Sequence, residues 1–281
     1  PPGEGELASH GERGLGRLPE PSELLAACEA VLTRSGLSDP LSGLRVLVTA
    51  GGTREPIDSV RYVGNRSSGR MGFELAHEAQ RRGAQVTLIS ANVALNPPPL
   101  VRRVEVRTAA ELLDACAREF ASCDILLMAA AVADFRPAAP VDRKLKKDVG
   151  PALTIETEPT EDILGALAPR RRPGQLVVGF AAEHGSGALD YAREKRRRKR
   201  LDAVVVNDIS RADIGFEVPE NEVTIVSAES ERRVPRASKA HVAAAVLDEV
   251  GRLRAMSAAA ADSREDVDGA VRSTAGRAAR V

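Results

Sequence analysis

Residues 45–52 read Arg-Val-Leu-Val-Thr-Ala-Gly-Gly, a short apolar and β-branched run that ends in two glycines. A run of this length that is closed by glycine is typical of a buried strand followed by a turn. After a loop, Met71, Leu75 and Ala79 recur at helical spacing within residues 70–82. The region therefore predicts strand, loop and helix in succession, which is the repeating unit of an α/β fold.

The same alternation repeats along the chain. Further strands are predicted at residues 86–89, 104–106, 125–129, 176–180 and 203–206, and further helices at residues 109–120, 161–167 and 189–200. Buried strands that alternate with helices indicate a mostly parallel sheet covered on both faces, so we predict a Rossmann-like, doubly wound α/β fold. Residues 222–227 and 231–235 predict a small β-hairpin excursion, and residues 241–253 predict a closing helix. In such sheets ligands bind at the carboxyl ends of the strands.

The segments that flank this core differ from it in composition. Residues 1–22 are rich in Gly, Glu and Pro, and residues 23–32 read as a short amphipathic helix, so residues 1–43 are predicted to be a linker before a domain at residues 44–256. Residues 257–281 carry Ala, Arg, Ser and Asp without large apolar side chains. We predict that this tail is disordered.

Composition excludes several classes of function. The 40 basic and 40 acidic side chains cancel, so no global field attracts nucleic acid or an anionic membrane. No apolar run is long enough to span a membrane, and no signal-peptide pattern opens the sequence. The separated Cys28, Cys116 and Cys123 form no C-x-x-C pair and share no metal-ligand spacing with the histidines. We therefore predict a cytoplasmic protein with no metal site built from side chains.

A loop at residues 61–72 reads Arg-Tyr-Val-Gly-Asn-Arg-Ser-Ser-Gly-Arg-Met-Gly and leads directly into the first predicted helix. Residues 67–69 bring two hydroxyls and several backbone N–H groups to the helix N-terminus, where a phosphate is stabilised. Arg61 and Asn65 add a charge and an amide. The alternative to a phosphate-binding role is that one of the two serines is an ordinary helix N-cap.

The loop pattern N-x-S-S-G-x-M-G after V-R-Y resembles the phosphopantothenoylcysteine synthetase family, and further segments resemble motifs of that family in the same order. They are A-A-A-V-A-D-F-R-P at residues 129–137, K-L-K-K at 144–147, V-G-F-A-A-E at 178–183, and N-D-I-S at 207–210 followed by G-F at 215–216. Five motifs in series argue against a chance likeness. One departure is Glu161, which stands where the family has a proline before D-I-[LV].

The resemblance implies a two-step ligase. In this reaction the carboxylate of 4′-phosphopantothenate attacks the α-phosphorus of CTP, and pyrophosphate leaves. The amine of cysteine then captures the acyl-cytidylate and releases CMP. The resemblance also implies Mg²⁺ that arrives on the triphosphate, and a homodimer or a larger assembly of dimers. A paralogous amide ligase that activates another acid remains open.

The resemblance assigns roles to individual residues. The catalytic candidates are Asn65, whose amide would donate to charge that develops on the acyl-cytidylate, and Lys144, which would contact the nucleotide phosphates. The substrate-binding candidates are Arg61, Asn65, Ser67, Ser68 and Gly69. The nucleotide-binding candidates are Gly51, Gly52, Met128, Ala129, Ala130, Asp134, Lys144, Glu161, Asp162, Ile163, Leu164, Phe180, Lys195 and Lys199. Plainer interpretations also stand: a tight turn for the glycines, a solvated charge for Lys144 and core filling for Phe180.

In many bacteria this synthetase is fused to a flavin-dependent decarboxylase. Residues 8–18 resemble the last motif of that enzyme, with Ser9 or His10 where its cysteine acid stands. The flavin-binding part is absent from this sequence. FMN is therefore expected only if a decarboxylase half exists in the full-length protein.

Two rival functions remain at this point. Tyr191 and Lys195 have the Y-x-x-x-K spacing of an NAD(P)-dependent short-chain reductase, although the G-x-G-x-x-G fingerprint is absent and so short a pattern arises by chance. The basic run at residues 193–200 would suit a nucleic-acid patch, but only 2% of the chain is aromatic and few side chains can stack on bases. We expect no nucleic-acid partner.

Overall fold

The structure, a computed structural model, describes residues 41–146, 153–183, 187–208 and 220–278, together with residues 3–6, 13–17, 21, 22, 24, 25, 28, 185 and 218. For residues 3–6, 13–17, 208 and 260–278 only the backbone is described. Several residues of the predicted motifs lie outside this part of the chain, namely Ser9, His10, Lys147, Ile209, Ser210, Gly215 and Phe216.

The elements follow the predicted order. The strands are β1 (Gly3–Glu6), β2 (Arg13–Arg17), β3 (Arg45–Gly51), β4 (Arg54–Pro56), β5 (Tyr62–Gly64), β6 (Gln85–Ala91), β7 (Arg102–Val106), β8 (Ile125–Met128), β9 (Phe135–Pro137), β10 (Thr157–Pro159), β11 (Leu176–Glu183), β12 (Ala203–Asp208), β13 (Glu220–Ser227) and β14 (Glu231–Ser238). The helices are α1 (Arg70–Arg81), α2 (Ala109–Phe120), α3 (Ile163–Leu167), α4 (Ala188–Arg198) and α5 (Lys239–Ala278).

An eight-stranded sheet forms the centre of the domain, in the order β14-β13-β12-β11-β8-β3-β6-β7. Neighbouring strands from β12 to β7 are parallel, and β13 and β14 add an antiparallel edge. Every residue of β3 after Arg45 is buried, as expected for a strand covered on both faces. The predicted doubly wound α/β class is confirmed, and the predicted hairpin extends the main sheet.

Helices cover both faces of the sheet. On one face, α1 and α5 pack against each other and against the strands through side chains such as Leu75 and Val246. On the other face, α2, α3 and α4 bury side chains such as Leu112, Leu164 and Ala192. Apolar residues at helical spacing thus point into two separate cores. None of the described helices has the length and apolar character that a membrane span requires.

The structure differs from the prediction in its short and terminal elements. The ribbons β4–β5 and β9–β10 have strands of three residues, too short to show a period in the sequence. β1 and β2 pair where the sequence predicted an unstructured linker. The closing helix was expected to end at Leu253 and to be followed by disorder, but its backbone is helical to Ala278. The segment after residue 256 is rich in alanine, the strongest helix former, and lacks proline, so its composition is compatible with a continued helix.

The strand order places a ligand site. From β3 the chain proceeds to β6 and β7 on one side, and later returns to form β8 and β11 on the other side. The carboxyl ends of β3 and β8 are therefore the topological switch point, where α/β sheets open a crevice. The loops that follow these two strands contain the Asn65 loop and residues 129–134.

Candidate active site

A cavity of about 610 Å³ lies at this switch point. The predicted site residues that line it are Asn65, Ser67, Ser68, Gly69, Met128, Ala129, Ala130, Asp134, Glu161, Asp162, Ile163, Leu164, Phe180, Lys195 and Lys199. The fold thus brings these residues together from separate loops, from β11 and from α4. Four predicted residues that the structure describes, Gly51, Gly52, Arg61 and Lys144, do not line this cavity.

A second cavity, of about 500 Å³, lies at the amino-terminal ends of β3, β6 and β7. Its cations are already neutralised, because Arg45 is ion-paired with Asp124 and Arg102 with Glu119. None of the predicted site residues lines it. The cavity at the switch point is therefore the candidate active site.

Two buried threonines position the loop that follows β8. The hydroxyl of Thr49 donates to the sulfur of Met128 at 3.3 Å and accepts from the backbone N–H of Ala130 at 3.0 Å. The hydroxyl of Thr53 accepts from the N–H of Ala133 at 2.9 Å. Both threonines are fully buried. Sequence analysis did not single them out, because the hydrogen bonds form only when β3 and β8 lie side by side.

Asn65 bridges two loops of the site. Its Nδ2 donates to the carbonyl oxygen of Val132 at 2.8 Å. The residue is exposed and lines the cavity, so its amide lies between the loop after β5 and the loop after β8. Asn65 is thus held by the protein at the place where we expect the reacting acyl group.

The N-terminus of α1 faces the cavity. The N-cap is Gly69, with φ 77° and no side chain to cap the helix, rather than one of the serines. The hydroxyl of Ser67 accepts from the N–H of Gly69 at 3.4 Å. A Cβ on Gly72 would lie 2.5 Å from the Cβ of Ala50, so this glycine lets the first turn press against the end of β3. The positive end of the helix is thus directed into the site.

Gly51 and Gly52 shape the site without lining the cavity. Gly51 has φ 86°, and a Cβ there would lie 2.0 Å from the carbonyl oxygen of Ala91. A Cβ on Gly52 would lie 2.7 Å from the carbonyl oxygen of Asn65. These glycines allow chain segments to approach each other closely, and their contact with a nucleotide stays a prediction.

Two lysines form a cationic side of the cavity on α4 and just after it. The Nζ of Lys195 donates to the carbonyl oxygen of Phe180 at 2.8 Å, and the Nζ of Lys199 contacts the carboxylate of Asp162 at 2.8 Å. Burial lowers the pKa of Lys195, and the charge of Lys199 lowers it further. The four-residue spacing places both ammonium groups on one side of the helix, as predicted.

Other residues line the cavity that sequence analysis did not assign to it. They are Arg66, Arg70, Met71, Gly72, Ala131, Val132, Thr160, Ala181, Ala182, Glu183, Tyr191, Arg198, Asn207, Asn221 and Lys239. Burial raises the pKa of the Glu183 carboxyl, and the nearby charge of Asp134 raises it further. Glu183 ends the V-G-F-A-A-E motif and Asn207 opens N-D-I-S, so both carried a signal in the sequence. Asn221 and Lys239 lie in segments without a motif.

Arg61 and Lys144 lie on a support beside the cavity. The guanidinium of Arg61 donates to the carboxylate of Asp58 at 2.5 Å and to the carbonyl oxygen of Leu145 at 2.6 Å. The N–H of Leu145 also donates to Asp58, at 3.1 Å. Lys144 is exposed on the loop that these bonds hold. Within one chain Arg61 therefore positions this loop, and the substrate-binding role of Arg61 and the catalytic role of Lys144 stay predictions.

Replacing Asp58 by asparagine is expected to lower the melting temperature at pH 7, because the carboxylate accepts five hydrogen bonds from Val60, Arg61 and Leu145 and so joins two loops. Burial alone would raise the pKa of Asp58, but the hydrogen bonds from Val60, Arg61 and Leu145 outweigh it and hold the pKa far below 3.8. Its stabilisation is therefore present above pH 3.8 and is lost as the pH falls below that value.

Thermal melts of the wild type and Asp58→Asn between pH 7 and pH 3 test this expectation. The difference in melting temperature should shrink at the acid end. Asp142→Asn, a change at an exposed carboxylate on the same loop, serves as the matched control and should melt like the wild type. Equal melting temperatures for Asp58→Asn and the wild type at pH 7 would contradict the proposed support.

Comparison with known proteins identifies the family. A family model described as DNA/pantothenate metabolism flavoprotein C-terminal domain matches residues 41–253. The chain belongs to this family, the phosphopantothenoylcysteine synthetases. The crystal structure of the C-terminal domain of the coenzyme A biosynthesis bifunctional protein CoaBC is 36% identical to this synthetase domain, with a TM-score of 0.65, and the match covers 77% of this chain and 98% of that one.

Two curated relatives are longer than the synthetase domain described here. CoaBC from Mycobacterium tuberculosis (strain ATCC 25618 / H37Rv) is 42% identical over 250 residues, which cover 85% of this chain and 60% of the relative. A protein from an unknown prokaryotic organism, named cysteine/cysteine sulfinic acid decarboxylase, is 42% identical over 227 residues, which cover 80% of this chain and 62% of the relative. The chain thus spans about 60% of the length of these relatives. Their names describe activities of the longer proteins.

A more distant structure shares the fold of the synthetase domain. The Cab2 mutant H337A, solved in complex with phosphopantothenate-cysteine, is 18% identical with a TM-score of 0.65, over 87% of this chain and 97% of that one. At this identity the likeness concerns the fold alone.

Family membership and geometry together overturn the reductase hypothesis. Tyr191 and Lys195 do lie together on α4, with the Lys195 Nζ 5.9 Å from the centre of the tyrosine ring. Burial raises the pKa of Tyr191, and the charge of Glu183 raises it further. A catalytic acid instead needs a pKa near the working pH. In the synthetase domain Lys195 is bound to the carbonyl oxygen of Phe180.

The basic run of α4 is used within the domain. Arg193 pairs with Glu231 and with Asp190. Side chains that already have carboxylate partners offer little charge to a phosphate backbone. These contacts weaken the nucleic-acid interpretation of residues 193–200.

Proposed function

We propose that this synthetase domain joins 4′-phosphopantothenate to cysteine through an acyl-cytidylate, using CTP. The observation that carries the proposal is the cavity at the switch point, in which Asn65, the N-terminus of α1 and the Lys195–Lys199 pair meet. The proposed reaction develops negative charge on phosphoryl and acyl oxygens. This charge is stabilised by groups of the kind found here, namely an amide donor, a helix N-terminus and two ammonium groups.

The nucleotide is proposed to lie along β8, β11 and α4. Main-chain groups of Met128, Ala129 and Ala130 would meet the base, and the Asp134 carboxylate would accept from ribose hydroxyls. Lys195 and Lys199 would approach the triphosphate. Residues 161–164 would approach the nucleotide from the loop before α3, where Asp162 is already joined to Lys199.

The first step requires charge stabilisation. A carboxylate oxygen of the acid attacks the α-phosphorus, the bond from that phosphorus to the bridging oxygen breaks, and pyrophosphate leaves with the electron pair. The ammonium groups of Lys195 and Lys199 would stabilise this charge. Lys144, on its exposed loop, is proposed to add a further cation.

The second step forms the amide. The amine nitrogen of cysteine attacks the acyl carbon, the bond from that carbon to the phosphate oxygen breaks, CMP leaves and the nitrogen loses a proton. Asn65 would donate to the oxygen on which charge collects. Activation is needed because a free carboxylate has no adequate leaving group for an amine nucleophile.

Mg²⁺ suits this cavity as a companion of the triphosphate. Among the described residues no cluster of three or more His, Cys, Asp or Glu side chains is available to hold a metal ion. Asp134 and Glu183 lie close enough to interact electrostatically and both line the cavity. Two carboxylates beside bound phosphates match the oxygen ligands that Mg²⁺ prefers, and when bound the ion would neutralise phosphate charge.

We also propose a cytoplasmic homodimer, or a larger assembly of dimers. Cys28, Cys116 and Cys123 are all free thiols, which suits a reducing compartment. Burial raises the pKa of Cys116 to about 12 and that of Cys123 to about 11, so these two thiols stay protonated. Large apolar side chains at Val60, Tyr62 and Phe135, on or beside the β4–β5 and β9–β10 ribbons, are exposed at 61%, 50% and 53%. A surface of this kind suits contact with a second copy.

Incubation with CTP, Mg²⁺, 4′-phosphopantothenate and cysteine, followed by mass analysis, tests the proposed function. The expected products are the amide, CMP and pyrophosphate. A parallel reaction with ATP in place of CTP shows which nucleotide is used. A further reaction with a different acid tests whether the chain is instead a paralogous amide ligase that activates another acid. Formation of no amide from phosphopantothenate with either nucleotide would refute the proposal.

A further inference from the structure

A third lysine faces the cavity from the other face of the sheet. Lys239 is the first residue of α5, and α5 packs with α1 on the face opposite to α4. It is only 4% exposed and lines the cavity. Lys195 and Lys199 approach from the α4 side. The cavity therefore has two cationic ends, one on each face of the sheet.

The surroundings of Lys239 are polar and carry charges of both signs. Burial lowers its pKa to about 8, and the charge of Arg70 on α1 lowers it further, whereas Glu74 opposes the shift. Asn221 is 6% exposed, lines the same cavity and belongs to β13, which pairs with the strand that leads into Lys239. The N-terminus of α1, with Gly69 as N-cap, adds its dipole at this end.

An anion in the cavity would stabilise this arrangement. Removing an ammonium group from water has a large desolvation penalty, which a nearby arginine and a helix N-terminus increase. A phosphate would offset this cost through charge-assisted hydrogen bonds. The proposed reaction brings two ligands that carry phosphate into one cavity, the nucleotide and the acid, and two separate cationic ends match that requirement.

We propose that Lys239, Asn221 and the N-terminus of α1 form a phosphate-binding subsite distinct from the Lys195–Lys199 end. The identity of its occupant rests on the proposed function: the phosphomonoester of the acid substrate and the terminal phosphates of the nucleotide share the required chemistry. Lys239 contacts a phosphate in this subsite and takes no part in bond making.

Steady-state kinetics of Lys239→Met test the subsite. Loss of a charge-assisted contact should weaken the apparent affinity for one phosphate ligand, seen as a rise in its KM of about ten- to hundredfold, and leave the KM for cysteine unchanged. If the affected ligand is phosphopantothenate and the activity towards pantothenate does not fall, the occupant is the phosphomonoester. If the affected ligand is CTP, the occupant is the triphosphate. Lys239→Arg should recover most of the affinity in either case.

Two results would overturn the proposal. One is a folded Lys239→Met enzyme in which the KM values for both phosphate ligands stay within twofold of the wild type. The other is an equal loss of activity towards phosphopantothenate and pantothenate together with a lower melting temperature, since this pattern means a structural role. Arg118→Met, which removes an exposed cation on α2, is the matched control.

A binding experiment separates this proposal from the proposed function. If the wild type forms no amide, calorimetric titration with phosphopantothenate and with inorganic pyrophosphate still examines the subsite. If the wild type binds either ligand and Lys239→Met does not, the subsite is supported even though the ligase proposal fails. Equal binding to both proteins, or no binding of either ligand to the wild type, refutes it.

Discussion

Replacing Asn65 by aspartate is expected to reduce amide formation by about a hundred- to a thousandfold, the effect of removing one preorganised donor at a developing oxyanion. Aspartate keeps the size of the side chain but cannot donate when ionised, so the 2.8 Å bond to Val132 is lost as well. Its negative charge would also oppose the charge that forms in the second step. Activation of the acid should continue, so the acyl-cytidylate should accumulate.

The measurement is a quenched time course in which pyrophosphate, acyl-cytidylate and amide are quantified by mass. Lys199→Met provides the contrast, because weaker nucleotide binding should slow both steps and leave no intermediate. Full turnover by Asn65→Asp without any accumulated acyl-cytidylate would exclude the assigned role. If pyrophosphate and amide formation slow to the same degree, Asn65 acts in the first step instead.

Replacing Gly51 by alanine is expected to destabilise the domain by about 2–5 kcal/mol, from a left-handed backbone and an overpacked contact together. The added Cβ would lie 2.0 Å from the Ala91 carbonyl oxygen and 2.5 Å from a methyl group of Val93. Neither β6 nor β3 can move freely, because seven residue pairs join the two strands. The melting temperature should fall by roughly 5–20 °C.

Gly174→Ala separates the two causes of this loss. Gly174 has φ 75°, close to the 86° of Gly51, but an added Cβ there would meet no atom within 4 Å. The control variant should lose only about 1–2 kcal/mol, the cost of the left-handed backbone. Equal decreases in melting temperature for the two variants would show that the contact with Ala91 contributes nothing.

The sequence predicted the regular part of the fold because burial on two faces gives clear patterns. The strand at residues 45–51 is buried along nearly its whole length, and the helix at residues 109–120 has the predicted bounds. Short strand pairs such as β4–β5 were not predicted, because strands of three residues show no hydrophobic period in the sequence. The helix after Leu253 was not predicted because its sequence shows no sustained apolar period.

The site was predicted where residues belong to a motif and missed where tertiary structure alone assembles it. Asn65, Asp134 and Phe180 stand in motifs, and the fold brings them to one cavity. Lys239 reaches the same cavity from a helix far along the chain, and nothing around it in the sequence suggests a ligand. Arg61 was identified, but its partner Asp58 was not, since their ion pair depends on a local turn.

The hydrogen bonds of Thr49 have a consequence for inhibitor resistance. This buried hydroxyl fixes the N–H of Ala130 and the side chain of Met128 from beneath the cavity. A compound that binds the main-chain carbonyl groups of residues 128–130 would meet acceptors that every amino-acid substitution retains. Resistance would require a displaced backbone, for example after replacement of Thr49, and the same displacement would disturb the nucleotide that we propose to bind there.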